Sequence, residues 1–154
     1  MTLLVLLALI VLASCLLPSL LGLRRYWLRV NVSEFVLATD RQQGATDSTW
    51  LFVPPRCQTG RCKIAVLPGG CDAFLGAPPG GSDDDFARYG FANGIIVLKP
   101  CQTGPIDRNV YPQNHENFRG MVDVYGQLSP LYATQKGGQM GPTGKMIKRL
   151  MGLN

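Results

Sequence analysis

Residues 62–71 read Cys62-Lys63-Ile64-Ala65-Val66-Leu67-Pro68-Gly69-Gly70-Cys71. The apolar run Ile64 to Leu67 ends abruptly at a proline and a glycine pair. That is the pattern of a buried strand stopping at a loop whose backbone comes close to something. A strand and a tight turn would explain this stretch by itself, but the residues after it extend the pattern. Ser82 is placed to cap a helix predicted over 83–92, with Asp83, Asp84 and Asp85 against the positive end of its dipole. All three acids are expected to face water, since adjacent helical positions do not share a face and so do not converge on a cation. Asn93-Gly94 stops the helix, and Ile95 to Leu98 reads as a second continuous apolar strand. Strand, helix, strand makes a βαβ unit whose strands are expected to be parallel and buried on both faces.

Working outward, 36–47 reads as a polar loop leading into a strand at Thr49 to Val53. Pro54 and Pro55 end that strand, because proline gives no ladder donor and restricts the residue before it. No periodicity is evident from Cys101 to Gln127. Gly141-Pro142 begins a last helix, with Ile147, Leu150 and Met151 on one face and Lys145, Lys148 and Arg149 near its end. The fold class is therefore α/β. Eighteen glycines and eleven prolines make the chain loop-rich, yet its apolar runs are too regular for disorder. The net charge of +5 is small, and no basic run is interleaved with aromatics, so no nucleic-acid partner is expected.

The stretch from Leu3 to Leu23 is apolar apart from small residues and Pro18, long enough for a membrane span and longer than most signal-peptide cores. It divides the chain into a targeting segment, 1–25, and a domain, 26–154. Arg24 and Arg25 on its far side favour an anchor with its C-terminal side in the cytosol. Two features oppose that orientation: the glycosylation sequon Asn31-Val32-Ser33 and the five cysteines, both at home in a secretory lumen. If Cys15 leaves with a signal peptide, Cys57, Cys62, Cys71 and Cys101 form an even set with three possible connectivities. A Cys57–Cys62 bridge across the turn 58–61 is the preferred pairing. No metal and no cofactor are expected, because the chain has no Cys-x-x-Cys and a single histidine.

Several stretches, in their order and spacing, resemble the extracellular poly(3-hydroxybutyrate) depolymerase family of serine esterases. They are Ser33-Glu34-Phe35, Trp50 to Cys57, Cys62 to Cys71, Phe86 to Pro100 and Tyr132 to Met140. The resemblance runs from about Asn31 to Leu150. It implies part of an α/β-hydrolase-like parallel sheet of few strands with flanking helices, preceded by the N-terminal apolar helix. Because the family is extracellular, it also favours a signal peptide over a membrane anchor. In such hydrolases a loop of this kind gives a backbone N–H to the oxyanion of a tetrahedral intermediate. Gly69, Gly70 and Cys71 are then an oxyanion-loop remnant. The family's His-Gly-Cys reads Gly69-Gly70-Cys71 here, which preserves a backbone role for Cys71 and removes the imidazole. Its tryptophan-rich patch reads Met121-Val122-Asp123-Val124-Tyr125-Gly126-Gln127, which keeps Asp123 and loses most of the aromatic surface that would grip a polyester.

A serine esterase of this type needs a Gly-x-Ser-x-Gly elbow, a histidine and an acid, since the hydroxyl is inert without its base. None of Ser14, Ser19, Ser33, Ser48, Ser82 and Ser129 sits in that pentapeptide. His115, in Asn114-His115-Glu116-Asn117, reads as a surface residue of a polar loop, so no catalytic residue is assigned. The family includes a permuted group whose triad precedes the region matched here, and this chain resembles the C-terminal half of such an enzyme. The expected function is that of a secreted depolymerase-like protein without hydrolysis of its own. The alternative is a secreted or membrane-anchored binding or structural protein that recognises a polyester, lipid or glycan surface. A half-fold leaves a sheet edge bare, so self-association or a complementary half-domain is the expected protein contact, with the membrane touched only through the N-terminal segment.

Overall fold

A computed structural model describes residues 20–69, 78–102 and 129–153. Its strands are β1 (Trp27–Asn31), β2 (Ala45–Phe52), β3 (Lys63–Val66) and β4 (Ile95–Gln102). Its helices are α1 (Leu20–Arg24), α2 (Ala38–Gln42), α3 (Ser82–Asn93) and α4 (Met140–Leu150). The four strands form one mixed sheet in the order β1-β2-β4-β3. The chain is thus mixed α/β, with helices flanking a short sheet.

The βαβ unit is present. β3 and β4 pair in parallel, from Lys63 opposite Ile95 to Val66 opposite Leu98, and α3 lies in the connection between them. The rest of the sheet departs from the parallel expectation, because β1 with β2 and β2 with β4 are antiparallel. A parallel pair needs a long crossover. Only the β3–β4 connection carries a long helix, whereas β1 and β2 are joined through a 3-10 turn at Ser33–Phe35 and the five-residue α2. Burial on both faces holds for central β4, which is buried from Ile96 to Gln102. It fails for β3, an edge strand with Lys63 and Val66 exposed.

Central β4 contains Pro100, which has no N–H to give. The ladder accommodates it with an irregularity in β2, where Ala45 pairs with Gln102 and the next partners are Thr49 and Pro100. Thr46 Oγ1, within this bulge, lies 2.9 Å from both Ser48 O and Cys101 O. Thr49 Oγ1 donates to Lys99 O at 2.7 Å. These side-chain contacts engage strand carbonyls beside the irregularity.

The sheet is covered on both faces. On one, Leu23, Trp27, Trp50, Phe52, Ala87 and Val97 form a core, with the Trp27 and Phe52 rings edge-on at 5.4 Å. Helix α3 approaches closely here, because a Cβ on Gly90 would come within 2.8 Å of Ile95 O and 3.2 Å of Val97 Cγ2. On the other face Met146, Ile147 and Leu150 of α4 pack with Leu98, Leu51, Val32 and Val36. Leu23, in α1, is almost fully buried in the first of these cores.

Gly81, not Ser82, is the N-cap of α3, and no side chain caps it. Gly94 ends the helix in the left-handed conformation, φ 63°, as the Asn-Gly pair predicts. The supposed loop at 36–47 holds α2 and the start of β2. Cys57 and Cys62 are bridged, with Cα atoms 5.6 Å apart. Cys101 is also disulfide-bonded. Residues 1–19 lie outside them as well, and among the described residues no helix is long and apolar enough to cross a membrane.

Candidate functional site at the glycine loop

Beyond Val66 the chain stays beside β4 for one more residue, Leu67 N donating to Leu98 O at 2.8 Å. Pro68 and Gly69 then leave the sheet. The next residue of β4 is Lys99, and strand alternation puts it on the same face as Val97 and Cys101, beneath α3. Its side chain is 6% exposed, and Nζ lies 3.1 Å from Oδ2 of Asp83, which is 11% exposed. A Cβ on residue 69 would stand 3.2 Å from the same nitrogen. The bare backbone of Gly69 is what makes room for a buried ammonium at the loop.

Asp83 satisfies two demands at once. It lies in the first turn of α3, where a carboxylate complements the helix dipole, and it offsets the charge of Lys99. Removing an ion from water costs several kcal/mol even after relaxation, so neither group is stable there without the other. The pair is formally neutral, and it fixes the position of one cationic group beside the loop. The site lies at the carboxyl end of β3, beside the middle of β4.

The expectation that the three aspartates face water is corrected for two of them. Asp83 and Asp84 are buried, and only Asp85 is exposed, beside Arg88 at 3.7 Å. The buried positions of α3 are 83, 84, 87 and 90, an arc at helical spacing that continues onto the small residues Ala87 and Gly90. That spacing was the signal available in sequence. Asp84 Oδ1 is buried with no hydrogen-bond partner. A Cβ on Gly80 would lie 3.0 Å from Arg24 Nη2 and 3.9 Å from Asp84 Oδ2, so a guanidinium and this carboxylate border the same turn. Lys99 carries no signal in sequence because the apolar run ends at Leu98, although the strand continues to Gln102.

Of the oxyanion-loop residues predicted from sequence, Gly69 is beside Lys99, while Gly70 and Cys71 lie outside the described residues. His115 and Asp123 lie outside them too. Ser82, next to Asp83, is exposed on the first turn of α3. Asn31 is exposed at the end of β1, with Oδ1 accepting the Ser33 N–H at 2.9 Å. Among the described residues no group of three His, Cys, Asp or Glu side chains is arranged to hold a metal ion. What the arrangement offers chemically is a fixed ammonium and a glycine backbone at one point, suited to an electron-rich oxygen. No family model, curated protein or solved structure matches the chain.

Proposed function

We propose that this chain is a secreted, non-hydrolysing homologue of the depolymerase-type carboxylic esterases, retaining the oxyanion-loop half of the domain as a surface that receives an ester or polyester. The observation that carries the reading is Lys99 Nζ seated against Gly69 in a loop between the third strand and the following helix. That is the connection from which α/β hydrolases lend an N–H to the oxyanion hole. The resembling family has a histidine at the position of Gly69, and here the ammonium stands 3.2 Å from the point where such a side chain would begin. A cationic donor has thus replaced an imidazole beside the loop. It polarises an ester carbonyl oxygen, but with no elbow serine in the chain there is no attacking group for that polarisation to assist.

The test is to assay the purified chain on p-nitrophenyl butyrate and a hydroxybutyrate oligomer, and to measure its retention on polyester granules. Hydrolysis at the buffer rate together with retention is the expected result. Turnover abolished both by His115→Ala and by a fluorophosphonate would overturn the non-hydrolysing reading. Absence of both turnover and retention would overturn the ester-binding one.

A further inference from the structure

The sheet face opposite Lys99 carries a cavity of about 140 Å³ between β1, β2 and α4. Its walls are Val30, Leu51, Leu98, Met146 and Leu150, all apolar. Thr49 is the polar side chain on its inner wall, and its hydroxyl is already committed to Lys99 O at 2.7 Å. The interior therefore suits a hydrocarbon with no polar substituent along it. A cavity of about 150 Å³ holds a benzene-sized molecule, so the space corresponds to a chain of about six carbons.

The mouth is different. Glu34 and Arg149 border it, joined by an ion pair of 3.0 Å, with side chains 57% and 64% exposed. A pair so exposed is weak and exchangeable. Arg149 has a second contact besides Glu34, its guanidinium carbon lying 5.6 Å from the Phe35 ring centroid. A guanidinium held over an apolar hole, its partner easily displaced, matches a ligand with one carboxylate head and one short tail.

We propose that this cavity binds a short-chain aliphatic monocarboxylate. The tail lies among Val30, Leu98 and Met146, and the carboxylate takes the place of Glu34 on Arg149. This site is on the opposite face from the glycine loop and does not rest on the esterase reading. Asn31 also borders the cavity, so a glycan there would stand at its mouth.

The experiment uses the whole chain, secreted into a bacterial periplasm to leave Asn31 unmodified, and titrates it with butyrate, hexanoate, decanoate, hexanol and hexylammonium by NMR and calorimetry. Hexanoate should bind saturably with a dissociation constant of about 1 mM or tighter, the range open to a ligand of its size. Arg149→Gln should weaken hexanoate roughly tenfold or more, as loss of a charged hydrogen-bond partner does, while leaving hexanol unchanged. Glu34→Gln should strengthen hexanoate by removing its competitor. Val30→Phe should abolish binding in protein whose circular dichroism shows it folded. No saturable binding of hexanoate, hexanoate indifferent to Arg149→Gln, or hexylammonium binding as well as hexanoate would each overturn the proposal.

Discussion

Lys99 and Asp83 are largely withdrawn from water, their side chains 6% and 11% exposed, and the energetics of such pairs give an asymmetric prediction. Removing one partner strands the other charge in the interior, so Lys99→Met should cost about 3–5 kcal/mol in urea unfolding. Replacing both, Lys99→Met with Asp83→Leu, removes two desolvation penalties along with the attraction, and should recover most of that loss. A double variant as unstable as the single one would show that the pair does not act as a unit. The Cys57–Cys62 bridge makes a second residue-scale case. Its loop is short, with a sequence separation of 5, so the chain-entropy model gives about 2 kcal/mol, the low end for disulfides. Cys57→Ser with Cys62→Ser, compared by thermal unfolding, isolates this bond. Reduction would not, because it also opens the bond at Cys101.

Helix α3 is the element on which the site depends, since it delivers Asp83 to Lys99 and seals one face of the sheet. Its closeness to the sheet rests on Gly90. In Gly90→Ala the new methyl would meet the Ile95 carbonyl at 2.8 Å, and such overpacking costs about 1–3 kcal/mol. The better helix propensity of alanine returns about 1 kcal/mol at most. Net destabilisation in denaturant titration is therefore expected, and a stabilised variant would mean that the helix can retreat freely. This unit was legible in sequence because its strands are uninterrupted apolar runs bounded by glycine and proline. The other half of the sheet was not. In Trp27-Leu28-Arg29-Val30-Asn31 the signal is short and diluted by polar residues, as befits an edge strand with one face half in solvent. Ala45-Thr46-Asp47-Ser48 reads as a loop, and it belongs to β2 because Asn31 and Gln102 lie opposite its ends. Of the site, Gly69 was visible as loop chemistry. Its partners were not, because residues 69, 83 and 99 come together only when the βαβ unit closes, and a lysine beside an apolar run ordinarily marks the end of the strand.

For the whole molecule the open question is what meets the free side of β3. Among the described residues this strand has a partner on one side only, and Val66 on it is 39% exposed. Close to it, Ile147 and Met151 of the last helical segment share a depression with Arg61, Ile64 and Val66. Met151 and Leu153 are themselves more than half exposed, so the bare strand edge continues into an apolar surface. Unpaired backbone groups beside apolar side chains form a template for another strand. Two features moderate it: β3 has only four residues, and Lys63 at its start is exposed, both ordinary means of blunting an edge. The balance points to reversible, concentration-dependent self-association rather than precipitation, with β3 edges meeting across a two-fold axis. Sedimentation velocity over a wide concentration range should show a monomer–dimer equilibrium. Val66→Lys should shift it to monomer with little change in folding stability, because the new charge stands in solvent in the monomer and is buried only in the dimer. A chain that stays monomeric throughout the range, or a dimer indifferent to Val66→Lys, would move the contact away from this edge.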